Sequence, residues 1–199
     1  MGLFDGLVNS AHSQANRAAN NAVNSAISNM TRGGNETVTI TFDSLPTNLA
    51  ELQALPEASL DSAYKTTALA LAVLCNYEKD PAATIEMMNF LKGPEAMSNY
   101  EQSFIRERLT GKYYKTFSFF AGATVENNYT PSVPYQITVS TTPNSFIEEN
   151  WATMYVKSSG ADSPRPVKLR KKPSTGQWFI TEVQCLADIR VPVAADPWA

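Results

Sequence analysis

The sequence predicts an α+β fold. A helical N-terminal half packs on a mostly antiparallel sheet formed by the C-terminal half, and a separate amphipathic helix precedes both. Two patterns and their order lead there. Apolar residues recur at helical spacing between Asp61 and Leu109. After Tyr113 they alternate with polar residues in several short, β-branched stretches. Helices in one block and strands in the next is not the βαβ alternation of a parallel sheet. The 199 residues, 43% hydrophobic and 18% charged, suffice for one sizeable core with an appendage.

Residues 1–32 read as an Ala/Asn-rich helical leader, 33–35 as a glycine hinge and 36–199 as a single α+β domain. In the leader, Leu3, Leu7, Ala11, Ala15, Ala18, Ala22 and Ala26 form a stripe at spacings of three and four. Phe4, Val8, Ala19, Val23, Ile27 and Met30 widen it. A helix from Leu3 to Met30 would be about 42 Å long at 1.5 Å per residue. Asn is a poor helix former and an alanine stripe buries little area, so this helix needs a partner surface. Leu3, Phe4, Leu7, Val8, Val23 and Ile27 are its candidate contact residues. The favoured partner is the chain itself or another protein. A membrane surface is the alternative, with Leu3, Phe4, Leu7 and Val8 inserted. However, the polar face carries Asn and Ser rather than Lys, so attraction to anionic lipid is missing. Gly2 opens no myristoylation motif, because Gly6 stands where Ser or Thr is required.

Glu36 to Phe42 alternates and predicts a strand with Val38, Ile40 and Phe42 inward. Asn48 to Leu55 predicts a short helix closed by Pro56. Asp61 to Lys79 is apolar on most sides, as a central buried helix must be. Pro81 suits the first turn of the next helix, which Gly93-Pro94 ends. Ser98 followed by Glu101 has capping-box spacing and starts a third helix, to Leu109, with Tyr100, Phe104, Ile105 and Leu109 inward. Glu101, Arg106, Glu107 and Arg108 form its solvated face. Strands are expected over Tyr135 to Val139, Ala152 to Lys157, Pro166 to Lys172, Trp178 to Val183 and Leu186 to Val191. Lys172 to Gln177 has hairpin chemistry, and Trp198 is expected to anchor the tail on the body.

Several function classes lose ground on composition. The longest apolar run, Ala68 to Cys75, is far short of the roughly 20 residues that span a bilayer. Met1 to Gly6 has neither a basic nor an apolar signal region, so the chain is read as cytoplasmic, with membrane association through the leader as the variant. A net charge of −3 disfavours nucleic acid as a partner. Cys75 and Cys185 sit among apolar neighbours and read as buried, reduced thiols. His12, in the leader, is the only histidine, so the domain has no imidazole base, no Ser-His or Cys-His pair and no histidine metal ligand. No metal site and no cofactor is expected; no phosphate-cradling loop is present.

Two stretches stand out. Gly122 to Pro131 is a polar connection between the helical and strand halves, where sites often lie. Glu126, Asn127, Asn128 and Tyr129 are its candidate contacts with a partner or ligand. An ordinary Asn-rich turn is the plain alternative. Arg165, Lys168, Arg170, Lys171 and Lys172 form the second, a basic ridge suited to an acidic partner. Its plain alternative is an edge strand protected against aggregation by charge and Pro166.

Four blocks in order carry a resemblance. They are Leu74-Cys75 with Ile85 to Pro94, then Gly122 to Pro131, then Ser158 to Arg170, then Ala187 to Arg190 with Asp196-Pro197-Trp198. Together they resemble a bacterial family catalogued as a domain of unknown function, over roughly Leu45 to Ala199. The resemblance implies a bacterial cytoplasmic protein and transfers no catalytic residue. The closing basic strand, hairpin and Gly176-Gln177-Trp178 strand are also similar to the last hairpin of cone-shaped NTF2-like folds, which implies a cavity between helices and sheet. The residues favour a non-enzymatic binding or assembly module that docks or self-associates, as a homo-oligomer, through the leader. The alternatives are a small-molecule-binding protein or carboxylate-dependent enzyme with a pocket between helices and sheet, and a peripheral membrane protein anchored by the leader.

Overall fold

The computed structural model describes residues 35–198. The leader expected over 1–32, with Leu3, Phe4, Leu7, Val8, Val23 and Ile27, lies outside the described residues. The elements run β1 (Thr37–Phe42), α1 (Leu49–Ala54), a 3-10 turn (Pro56–Ser59), α2 (Ala63–Leu74), α3 (Pro81–Lys92), α4 (Asn99–Leu109) and α5 (Tyr114–Phe117). Then come β2 (Tyr135–Ser140), β3 (Trp151–Val156), β4 (Arg165–Lys171), β5 (Trp178–Val183) and a 3-10 turn (Val193–Ala195). The five strands form one sheet in the order β1-β2-β3-β4-β5, every neighbouring pair antiparallel. The C-terminal half supplies four of them, and β1 adds the outer strand beside β2.

Helix α2 is the centre of the molecule. All 12 of its residues are buried, and it touches β1, β2, β3, β5, α3 and α5. Its Leu69, Leu71 and Leu74 are nearly inaccessible, and so are Ile137, Val139, Met154, Val167, Leu169 and Ile180 on the inner face of the sheet. Each such side chain is worth about 1.5–3 kcal/mol of apolar burial. The outer face is polar, as one face of an antiparallel sheet can be. Thr39, Thr41, Gln136, Thr138, Arg170 and Glu182 lie exposed there, and the Thr39 and Thr138 hydroxyls meet at 3.0 Å.

Helix ends follow their caps. Asn48 caps α1, Asp80 caps α3 ahead of Pro81, and Ser98 with Glu101 closes a full capping box on α4. Helix α2 stops at Leu74 and continues as turns to Lys79, earlier than its apolar pattern suggests. Four expectations need correcting. Tyr100 is 79% exposed rather than inward, because it precedes the stripe of Ile105 and Leu109 that meets the core. Leu186 to Val191 is no strand: Asp188 takes a positive φ of 50°, while Leu186 and Ile189 are buried one by one from an irregular segment. Trp198 is 94% exposed and anchors nothing. Finally, β4 is interior, flanked by β3 and β5, so its charges do not guard an edge.

Candidate functional site

The basic ridge divides by strand parity. Lys168 and Arg170 lie on the outer face, whereas Arg165 and Lys171 share the side of Val167 and Leu169 at the two ends of β4. Lys168 pairs with Glu182 at 3.2 Å across to β5. Arg170 stacks over the Trp151 ring at 5.2 Å, and Lys171 lies 5.8 Å from the Trp178 ring. Arg165 donates to the Asp188 carbonyl at 3.0 Å. Lys172 is exposed on the hairpin. Among the described residues none of Arg170, Lys171 and Lys172 is ion-paired. The outer face therefore offers one guanidinium without an ion pair, over an indole, not a continuous cationic row.

The loop before β2 spends its polar groups on itself. The Asn127 side-chain oxygen accepts from the Thr124 and Thr130 amides at 2.8 and 3.1 Å, and its NH2 donates to the Gly122 and Thr130 carbonyls at 2.7 and 3.1 Å. An Asn side chain has no more to give a ligand once both ends are used in this way. Tyr129 is buried, stacked on Tyr114 at 5.7 Å, and its hydroxyl donates to the Arg190 carbonyl at 2.8 Å. Glu126 and Asn128 remain exposed. Glu126 is held below the ordinary carboxyl range by its own backbone amide, then by the Thr124 hydroxyl.

A different place gathers chemistry. Between α3, α4 and β5 lies a cleft of about 40 Å³ lined by Met88, Met97, Phe104, Ile105, Ile180 and Val183 with Lys92, Glu101 and Thr181. That is room for a few water-sized groups. The β4–β5 register slips between Lys168 and Leu169, which pair with Glu182 and Ile180, so Thr181 is the extra residue of a bulge. Its hydroxyl is buried and has no hydrogen-bond partner among the described residues. The Lys92 ammonium reaches the Thr181 carbonyl at 3.5 Å and the Glu101 carboxylate at 2.5 Å. The other Glu101 oxygen accepts from the Ser98 amide and hydroxyl, each at 2.8 Å. Burial pushes the Glu101 pKa up, but Lys92 and Ser98 outweigh it and hold the carboxyl below its ordinary value. A general acid needs the opposite shift. Sequence reasoning allowed a pocket between helices and sheet and placed Glu101 in the capping box, but it did not bring Lys92 and Thr181 together, since they are 89 residues apart.

Burial pushes both thiols up to about 12, which leaves them poor nucleophiles; Cys75 also hydrogen-bonds the Leu71 carbonyl. Among the described residues no group of three His, Cys, Asp or Glu could hold a metal, and no helix is long and apolar enough to cross a membrane. The chain matches a family described as Domain of unknown function (DUF6935) over residues 44–193, and it belongs to that family. No curated protein and no solved structure matches it.

Proposed function

We propose that this chain is a non-enzymatic binding or assembly module that docks or self-associates through the helix expected over its leader. The observation that carries this reading is the leader's own pattern. Leu3 and Leu7 continue a stripe of alanines at spacings of three and four, Phe4, Val8, Val23 and Ile27 widen it, and from Leu3 to Met30 only Asp5 and Arg17 carry full charge. Such a surface is stable only against another one. The body supports the reading by how its reactive groups are used. Glu101 is fixed by Lys92 and Ser98, Asp80 caps α3, and both thiols are shielded. Arg170, spread on Trp151 at the outer face, is the group best placed to meet an acidic partner.

The test is light-scattering mass of the full chain beside its Leu7→Asp/Ile27→Asp variant. Loss of mass in the variant supports association through the leader, and equal masses overturn it. The cleft favours a second reading, a body that takes a small neutral molecule. Two groups there have bonding capacity left, the Thr181 hydroxyl and the Lys92 ammonium. A neutral guest avoids adding net charge to the Lys92–Glu101 pair. Thr181→Val tests this reading.

A further inference from the structure

We propose that β1 is a pairing edge for a second copy of this chain, the two β1 strands running antiparallel about a two-fold axis at Thr39. Strand β1 is outermost in the sheet and pairs with β2 alone, through six successive residues without a bulge. The direction of its free backbone groups follows from two bonds. The Ala121 amide donates to the Gln136 carbonyl at 2.9 Å on the side of β2 away from β1. The Thr141 amide donates to the Glu36 carbonyl at 2.9 Å, toward β1. Backbone groups alternate sides along a strand, so Tyr135, Ile137 and Val139 bond to Phe42, Ile40 and Val38. Thr37, Thr39 and Thr41 then direct their N–H and C=O groups to the open side. Among the described residues no backbone bond reaches them there.

Such an edge is normally blunted by Lys, Pro, a bulge or a covering element. Thr37–Phe42 has no charge, no proline and no bulge, and it is rich in β-branched residues. It is also complementary to itself. With the axis at Thr39, Thr37 faces Thr41 of the second copy, Thr39 faces its own twin, and Thr41 faces Thr37. All three are residues whose backbone groups are free, so each pair exchanges two hydrogen bonds. The same register sets Ile40 opposite Val38 on the helix-covered face. It continues the Thr39–Thr138 hydroxyl contact as a row of threonines on the outer face. Asp43 falls opposite Asn35, so no like charges meet.

The geometry makes a sharp demand on cross-linking. Facing Cα atoms of a hydrogen-bonded pair lie about 5.5 Å apart, within disulfide reach. Two copies of Thr41 would be four residues out of register, about 13 Å apart and beyond it. The experiment is mild oxidation of the full chain carrying Thr37→Cys, Thr39→Cys or Thr41→Cys, read on a non-reducing gel. All three positions are exposed, and the parent chain, which carries only Cys75 and Cys185, is the control for disulfides formed by those two. Thr39→Cys should give at least tenfold more disulfide dimer than either neighbour. A mixture of Thr37→Cys and Thr41→Cys chains should cross-link to each other. Equal yields at all three positions, or none at 39, overturn the proposal. The outcome is separate from the leader's contact. An oligomeric mass that depends on the leader, without a preference for position 39, sinks the edge and leaves the leader reading intact. A 39-centred cross-link with a mass indifferent to Leu7→Asp/Ile27→Asp does the reverse.

Discussion

The two edges of the sheet are treated differently. On its open side β5 is met by the chain itself. The Trp178 amide donates to the Leu60 carbonyl at 2.8 Å, Lys92 reaches the Thr181 carbonyl, and α3 packs alongside. The bulge at Thr181 interrupts what would otherwise be a regular template. Among the described residues strand β1 has none of this: its ladder is regular and its sequence uncharged. An edge closed by its own chain needs nothing further. A regular, bare edge is either a hazard or a contact, and its self-complementary register points to a contact.

The guard on β5 can be broken at its tightest point. Gly93 ends α3 at a φ of 68°, and a Cβ added there would run into the Phe179 ring. Gly93→Ala combines backbone strain with overpacking and should cost about 2–4 kcal/mol, read as a lower urea midpoint. Gly111, with φ 67°, has open space around its missing Cβ. Gly111→Ala should cost only the strain, about 1–2 kcal/mol. Equal losses at the two glycines would show that the contact of α3 with β5 adds nothing.

Lys92→Met is the next largest. It leaves the Thr181 carbonyl without its ammonium and Glu101 without its partner. Since Glu101 is about one-third exposed, the loss should be about 1–2 kcal/mol at pH 7, less than for a fully buried pair. The sign with pH follows from the lowered carboxyl pKa. Stability from this group is present above its unfolded value near 4.5 and lost as pH falls through the folded value. The gap between parent and variant should therefore narrow in urea melts as the pH is taken progressively below 4.5. A gap that stays constant with pH would mean that packing of the lysine stem, not charge, is what the mutation removes.

Strand β1 itself was legible in the sequence, because Thr37 to Phe42 alternates cleanly, and Ile40 and Phe42 are buried as the alternation requires. That β1 forms an edge was not, because the edge depends on β2, whose Thr138 lies 99 residues beyond Thr39. The basic run of β4 misled for a related reason. Charge marks a strand as exposed, but here the exposure is that of an open sheet face, and long side chains can also lie over indoles at strand ends. The cap at Ser98 was legible, since it acts on Glu101 only three residues away. The loop at Asn127 was visible as polar. Its inward bonding and the burial of Tyr129 depend on a backbone with positive φ at Asn128 and Tyr129, which composition does not disclose. The cleft joins α3, α4 and β5; a pocket between helices and sheet was an expectation, but which residues line it was not legible beyond Phe104 and Ile105 on the inward side of α4.

The smallest effect is the most telling about β5, because its sign differs between the two accounts of the bulge. Thr181→Val exchanges a hydroxyl for a methyl of nearly the same shape, at an atom that is buried and unpartnered within the described chain. If the bulge serves only to interrupt the edge, the hydroxyl is a desolvated group with no return, and its removal should be neutral or stabilising by up to about 1 kcal/mol. If the cleft beside Lys92 takes a hydrogen-bonding guest, the hydroxyl is an anchor. The variant should then lose stability whenever that guest is present, and lose none once the protein has been refolded from denaturant and freed of it. Urea midpoints of the variant and its parent, each measured as purified and after refolding, separate the two. A stabilised variant in both states makes the β5 edge purely protective and leaves β1 as the edge with a partner to find. A loss confined to the purified state gives β5 an occupant of its own.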